Sequence, residues 1–288
     1  MESRTLYNPG MIRTLAATLF LQVVMFAAAS APAIDQSLGM KTVSGAQISP
    51  DGRFVAYLVQ EPNWDDNEFV QQIWIAVTAT GERYALTSGK KSSAEARWSP
   101  DSRRLAFASE RDGKRQIYVI APTGGEAAQL TAEDNGVGQF GWSPDGGSVA
   151  FTSTGPDNPA LKDRKEKYGE FDIIGGDYLM NHFWQVKVPA AIPANVKQLP
   201  KPQALTKGEG FNVTRFTWSP DGARIAFSAT RDPDLGSSDT EQIYVLDLSD
   251  QHVRKLATYE GPNSDPHWSP DGNQIAFETS GGQKYFWL

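Results

Sequence analysis

The chain has 288 residues, 40% of them hydrophobic, and a formal charge of −7 from 27 basic and 34 acidic residues. That length supports a sizeable core. The acidic balance and the lack of any basic stripe exclude nucleic acid as a natural partner. Cysteine is absent, which excludes disulfides, zinc–thiolate sites and cysteine nucleophiles.

Residues 1–33 read as a signal peptide. Arg4 and Arg13 precede an apolar run from Leu15 to Ala29, and Ala27-Ala-Ala29 and Ala31-Pro-Ala33 offer small-residue cleavage sites. A start at Met11 gives a more compact version of the same segment. The competing reading is a membrane anchor, but the run is short for a spanning helix and ends in small residues. The expectation is an exported protein, periplasmic or secreted, with no stable membrane insertion after cleavage. Without residues 1–33 the counts become 25 basic and 33 acidic, a charge of −8.

From residue 34 onward one phrase recurs five times: Ile48-Ser-Pro-Asp-Gly52, Trp98-Ser-Pro-Asp-Ser102, Trp142-Ser-Pro-Asp-Gly146, Trp218-Ser-Pro-Asp-Gly222 and Trp268-Ser-Pro-Asp-Gly272. The Asp residues are spaced by 50, 44, 76 and 50 positions. In each copy Pro presets the first corner of a β-turn, Asp suits the second, and Gly accepts the positive φ that follows. After each turn comes an alternating run: Phe54-Val-Ala-Tyr-Leu-Val59, Leu105-Ala-Phe-Ala108, Val149-Ala-Phe-Thr152, Ile225-Ala-Phe-Ser228 and Ile275-Ala-Phe-Glu278. These predict strands with small Ala facing one way and a large residue the other. A further strand follows at Gln72-Ile-Trp-Ile75, Gln116-Ile-Tyr-Val119, Phe183-Trp-Gln-Val186 and Gln242-Ile-Tyr-Val245. Units close near Leu86-Thr87, Leu130-Thr131, Leu205-Thr206 and Leu256-Ala-Thr258.

A period of this size predicts an all-β fold, a β-propeller of four-stranded blades. The units lie near 40–90, 91–134, 135–208, 209–258 and 259–288. They make about four and a half blades of an expected seven or so, and residues 34–288 read as an incomplete propeller. Trp98, Trp142, Trp218 and Trp268 share one repeat position and are expected to pack between blades. Turn chemistry accounts for the repeated Asp residues without a catalytic or metal role.

The long third unit holds an insertion within 153–182. Insertions on repeat scaffolds often sit on the binding face. The mixed cluster Lys162-Asp-Arg-Lys-Glu-Lys167 reads as a solvated loop. The stretch Tyr168 to His182 combines aromatics, carboxylates and a Gly-Gly pivot. Glu170, Asp177 and Tyr178 are the candidate substrate-recognition residues, a carboxylate there being suited to a substrate's α-ammonium group. The plainer alternative is a decorated hairpin that covers a neighbouring blade.

Catalytic machinery is not visible. No Gly-x-Ser-x-Gly occurs, and His182, His252 and His267 fall in no metal-binding pattern. His252 and His267 read as structural or exposed. Asp232 to Glu241 looks acidic enough for a calcium loop but lacks its sixth-position Gly and twelfth-position Glu, so it reads as a solvated hairpin. Asn212-Val-Thr214 is a glycosylation sequon, meaningful only in a eukaryotic secretory route. No metal or cofactor is expected.

The Trp-Ser-Pro-Asp-Gly units resemble the PD40 (WD40-like) propeller repeats of TolB and of the prolyl oligopeptidase (S9) family of serine peptidases. Two features are similar to the peptidase branch. One is Ser109-Glu-Arg-Asp-Gly113 before Gln116-Ile-Tyr-Val119, echoed by Thr230-Arg-Asp232 before Gln242-Ile-Tyr-Val245. The other is the extended third unit from Phe171 to Trp184. TolB-like proteins carry an α/β domain ahead of the propeller, whereas here the repeats begin at Ile48, close behind the signal peptide. The resemblance implies a propeller that filters peptides for an α/β-hydrolase domain bearing a Ser-Asp-His triad. No triad position is present to be carried over. The Glu-Glu pair of the dipeptidyl-peptidase IV subgroup has no counterpart, Glu170 standing alone beside Phe171, so the acylaminoacyl-type branch is the nearer resemblance. The implied function is the substrate-gating portion of an exported S9-type peptidase cleaving short peptides. The implied partner is a peptide substrate, met through a hydrolase domain beyond this sequence. The fragment itself is expected to be inactive and to self-associate. The alternative is a TolB-like periplasmic interaction module without enzymatic activity.

Overall fold

A computed structural model describes residues 33–154, 159–169, 178–208, 210–256 and 259–281. The signal-peptide reading of residues 1–33 lies almost wholly outside them. The chain divides into two compact units, Met1–Met40 and Lys41–Leu288. In the first, the described residues form a short exposed helix, α1 (Ile34–Leu38), entered through a bond from the Ala33 amide to Gln36 Oε1. No helix among the described residues is long and apolar enough to cross a membrane.

The second unit is built from successive antiparallel sheets. Blade 1 is β1 (Thr42–Ile48), β2 (Phe54–Asn63), β3 (Glu68–Val77) and β4 (Arg83–Ala85). Blade 2 is β5 (Ser93–Trp98), β6 (Leu105–Ser109), β7 (Gln116–Ile120) and β8 (Ala128–Gln129). Blade 3 is β9 (Phe140–Trp142), β10 (Ser148–Ser153), β11 (His182–Lys187) and β12 (Gln203–Ala204). Blade 4 is β13 (Asn212–Trp218), β14 (Arg224–Thr230), β15 (Gln242–Asp247) and β16 (Val253–Lys255). Among the described residues blade 5 is a pair, β17 (Asn263–Trp268) and β18 (Ile275–Thr279). The fold is an all-β, propeller-like stack of blades.

Each Ser-Pro-Asp turn joins the first strand of a blade to its second and is wired identically. In blade 1 the Gly52 amide closes the turn on the Ser49 carbonyl at 2.8 Å. Ser49 Oγ donates to Asp51 Oδ1 at 2.6 Å and accepts the Phe54 amide at 3.0 Å. The Ser–Asp bond recurs at 99/101, 143/145, 219/221 and 269/271. It holds all five Asp carboxyls below their ordinary range. The five aspartates are thus turn-formers in fact.

The alternating runs sort their side chains between two seams. Leu105 and Phe107 join the core shared with blade 1, while Ala106 and Ala108 join the core shared with blade 3. Likewise Val149 and Phe151 face blade 2 and Ala150 faces blade 4. The large residues therefore pack backward onto the preceding blade and alanine forward beneath the next, so neighbouring sheets interlock at close range. Strands β6, β7 and β10 are buried along their whole length, whereas β1 is mostly exposed, including Val43 and Ile48.

Trp98 stacks on Phe54 and its indole N–H donates to the Gln47 carbonyl, while Trp142 donates to the Arg97 carbonyl. Both bonds clip a blade to the first strand of the one before it. Trp218 and Trp268 sit at the same repeat position, packed on blades 3 and 4, but their buried indole nitrogens have no partner.

The Lys162–Lys167 cluster corrects the loop expectation: it lies in a helix, α2 (Pro159–Tyr168). Straight-chain residues favour helix, Pro159 suits its first position, and Lys162/Glu166 and Asp163/Lys167 have the i,i+4 spacing of opposite charges. Gly169 at φ +82° ends it.

Candidate functional site

In an antiparallel blade the connections alternate between two ends. The Ser-Pro-Asp turns and the third-to-fourth-strand hairpins occupy one end. The other carries the second-to-third-strand loops, including the insertion of blade 3, and the links between blades. The exposed residues Trp64, Phe69, Leu235 and Tyr259 all belong to this second end. So do the polar ties of Tyr178, Asn181, Arg231 and Arg115 described next, and this end is the candidate site.

Tyr178, at the returning end of the insertion, donates its hydroxyl to Asp234 Oδ2 at 2.9 Å, joining blade 3 to the β14–β15 loop of blade 4. Asn181 follows. Its amide donates to Asn212 Oδ1 at 2.9 Å and its carbonyl accepts the Val213 amide at 3.0 Å. The covering role considered for this segment is therefore visible at residues 178–181. Glu170 and Asp177 lie outside the described residues.

The acidic loop 232–241 is more ordered than a plain solvated hairpin. A 3-10 turn (Leu235–Thr240) fills its centre, started by Asp234, whose Oδ1 accepts the Gly236 amide. Arg231 donates to Asp232 and to Ser237 Oγ, and hydrogen bonding from Ser237 first, then from Arg231, holds the Asp232 carboxyl below its ordinary range. Asp232 is thus committed to its own loop, whereas Asp234 faces the insertion. No group of three or more metal-ligating side chains occurs among the described residues.

Blade 2 fastens the same end differently. Arg115 donates to the Val137 and Gly138 carbonyls of the blade 2–3 link and pairs with Glu95 at 2.9 Å. The Arg111 guanidinium lies over the rings of Phe107 and Tyr118, and the Tyr118 hydroxyl donates to Asp112 Oδ2 at 2.6 Å. Burial, with Asp112 beside it, pushes that phenol well above its usual range. The Ser-Glu-Arg-Asp segment is therefore an internal lock. Between blades 1 and 2 a cleft of 240 Å³ is lined by Glu68, Lys91, Ser109, Glu110 and Arg115.

His252 lies in the β15–β16 hairpin, where its amide bonds Asp250. His267 is exposed beside Asp265. Asn212 of the sequon is buried, its side-chain amide donating to Thr230 Oγ1.

His182 belongs to a repeated clasp that sequence reasoning missed. In blade 1 Gln72 Nε2 donates to the Gly89 carbonyl, Gln72 Oε1 accepts the Thr87 hydroxyl, and Thr87 Oγ1 accepts the Ile73 amide. Blade 2 repeats this with Gln116, Thr131, Ile117 and the Glu133 carbonyl. In blade 3 His182 takes the glutamine's place, Nε2 2.7 Å from the Gly208 carbonyl and Nδ1 3.3 Å from Thr206 Oγ1, which accepts the Phe183 amide. The visible signal was the alignment of Gln72, Gln116, His182 and Gln242, each one residue before the Ile or Phe whose amide the threonine accepts or would accept, with the last three opening their third strands.

Comparison with known proteins fits this geometry. Residues 31–181 match the TolB beta propeller domain family (PD40), and residues 219–280 match the dipeptidyl peptidase IV N-terminal region. Dipeptidyl-peptidase 5 of Porphyromonas endodontalis is 27% identical over 259 residues, covering 83% of this chain and 37% of that protein. The Tol-Pal system protein TolB of Alcanivorax borkumensis is 36% identical over 64 residues, 22% of this chain and 14% of its own. Among solved structures, the acylaminoacyl peptidase of Pyrococcus horikoshii superposes with a TM-score of 0.58 at 17% identity, over 87% of this chain and 37% of that one. The chain thus spans little more than a third of the dipeptidyl-peptidase it matches.

Proposed function

Because the chain belongs to the TolB β-propeller (PD40) family, we propose that it is the substrate-gating and recognition propeller of an exported serine peptidase of the S9 type, one that cleaves short peptides. The observation that carries this reading is the pairing of the two family matches along one chain, together with the alignment to dipeptidyl-peptidase 5 over 83% of it. The chemistry is assigned to an α/β-hydrolase domain outside these 288 residues. The blades supply a rigid frame, and the end that carries the insertion supplies the surface that meets peptides. There Tyr178, with Glu170 and Asp177, is assigned to recognition of the peptide amine, which a carboxylate binds by a charge-assisted hydrogen bond.

The test has two parts. The purified 288-residue chain is expected to leave dipeptidyl and aminoacyl chromogenic substrates intact, and robust hydrolysis would overturn the division of labour. Reading the source gene downstream of the Leu288 codon is expected to reveal a Gly-x-Ser-x-Gly segment.

The similarity to TolB favours one alternative, a periplasmic interaction module without enzymatic activity. A reading frame with no hydrolase segment, and an envelope protein that co-purifies stoichiometrically, would decide for it.

A further inference from the structure

The clasp on the third strand is a three-part circuit. A side chain donates to a loop carbonyl and accepts from a threonine hydroxyl, and that hydroxyl accepts the next backbone amide. Glutamine performs both roles at any pH because its amide does not titrate. An imidazole performs both only when neutral and in one tautomer. The Gly208 carbonyl can only accept, so Nε2 carries the hydrogen, and Nδ1 is then the lone pair that receives the Thr206 hydroxyl.

We propose that His182 makes blade 3 an acid-released fastening: protonation turns Nδ1 into a donor, the Thr206 hydroxyl loses its acceptor, and the 205–208 turn loosens together with the returning end of the insertion. His182 is the first residue of β11. Asn181 and Tyr178, just before it, make the bonds to blade 4 described above. A disturbance at this ring therefore reaches the candidate site directly.

The surroundings favour the neutral form. Thr206 and Gly208 contact the ring from the turn, Phe211 meets it edge-on at 5.9 Å, and Ser153 lies opposite in β10. Among the described residues, charged side chains on the adjoining elements are Lys207 in the turn, Arg215 in β13 and Lys187 at the far end of β11. All three are cations, and Arg215 pairs with Asp265 of blade 5. Burial lowers the His182 pKa below its ordinary value, and the bond to Gly208 offsets this only in part. The sign follows. Between the native value and 6.5 the unfolded chain binds more protons than the folded one. The stabilisation that the clasp contributes is therefore complete above 6.5 and declines as pH falls through that window, and the native ring itself protonates, opening the clasp, only at its own lowered value.

The experiment uses the full chain. The ring resonances of its three histidines are titrated by NMR, with His182 assigned by its disappearance in His182→Gln. In parallel, hydrogen-exchange protection of the Phe183 amide is compared with that of Ile117, whose clasp uses glutamine, after correction for intrinsic exchange. His182 is expected to titrate below 6.5. The Phe183/Ile117 protection ratio should fall as pH drops, by up to about tenfold for each unit that the native value lies below 6.5. In His182→Gln that ratio should stay flat. A wild-type His182 that titrates at or above 6.5, or a wild-type ratio constant with pH, would overturn the proposal. The protection ratio comes from the wild-type protein alone, so the proposal remains testable even if the variant folds poorly.

Discussion

The seams joining blades 1, 2 and 3 and those joining blades 3, 4 and 5 contain the same tryptophan at the same place, yet they are fastened differently. Trp98 and Trp142 donate to the first strand of the preceding blade. Trp218 and Trp268 are buried without a hydrogen-bond partner. In the later seams other groups do the joining. Gln139 accepts the Phe216 amide at 3.0 Å, and Phe183 packs edge-on against Phe216 and Phe227. Between blades 4 and 5 the Arg224 guanidinium lies over the Trp268 ring at 4.7 Å and also donates to the Gly272 carbonyl. The repeat thus supplies the shape of a seam, a large flat side chain filling it. Whether the indole N–H finds an acceptor depends on the strand opposite.

The largest effect that could break this comparison comes from Phe183→Ala. This fully buried ring holds the blade 3–4 seam, so the substitution is expected to cost about 3–5 kcal/mol, measured by chemical denaturation. A loss below about 1 kcal/mol would show that aromatic packing does not substitute for the missing clip. Next is Ser143→Ala, which removes the hydroxyl serving both Asp145 and the Ser148 amide at a buried turn. A loss of about 1–3 kcal/mol is expected from the abandoned polar partners.

Trp142→Phe and Trp218→Phe sharpen the contrast most directly. Both remove similar apolar area, but only the first breaks a hydrogen bond, so Trp142→Phe should be the more destabilising by about 1 kcal/mol. Equal losses would mean that the clip contributes nothing. The smallest expected change is Ser102→Gly. Ser102 replaces the turn glycine at φ +61°, and its hydroxyl accepts the Asp51 amide of the preceding blade at 3.0 Å. Losing that bond and relieving the left-handed backbone oppose each other, leaving a change within about 0.5 kcal/mol.

Acid should act on all seams alike through the five turns. Each Asp is lowered mainly by its Ser partner, so the stabilisation is complete above the unfolded value of about 3.9. It should be lost as pH falls through the native values, visible as declining Tm in that range. Stability unchanged across that range would contradict it. The exposed apolar positions Val43 and Ile48 on β1 add an expectation of self-association, checked by sedimentation velocity. A monodisperse monomer would contradict it.

Much of this fold was legible in the chain. The Ser-Pro-Asp turns and the alternation in Leu105-Ala-Phe-Ala108 reappear where periodicity put them, because each rests on local backbone preference or on a period of two. The Lys162–Lys167 helix was missed because its charge pattern read as solvation and carries no apolar stripe. At the candidate site Tyr178 was among the residues chosen from the sequence, but its partner Asp234 lies 56 positions away in a different blade. His182 went unassigned because a histidine that copies a glutamine is recognised only once both sit in the same hydrogen-bond circuit.

The sequence by itself determined the repeating unit: where each turn falls, which strands follow, and which residues face which seam. These are local matters of φ, hydrogen-bond capping and side-chain alternation, written within a few residues of one another. Only the tertiary structure decided which tryptophans are satisfied, which carboxylate meets the insertion, and which clasp responds to acid. Those outcomes depend on distances between blades that are dozens of residues apart in the chain, and a hydrogen bond is made or lost within a few tenths of an ångström.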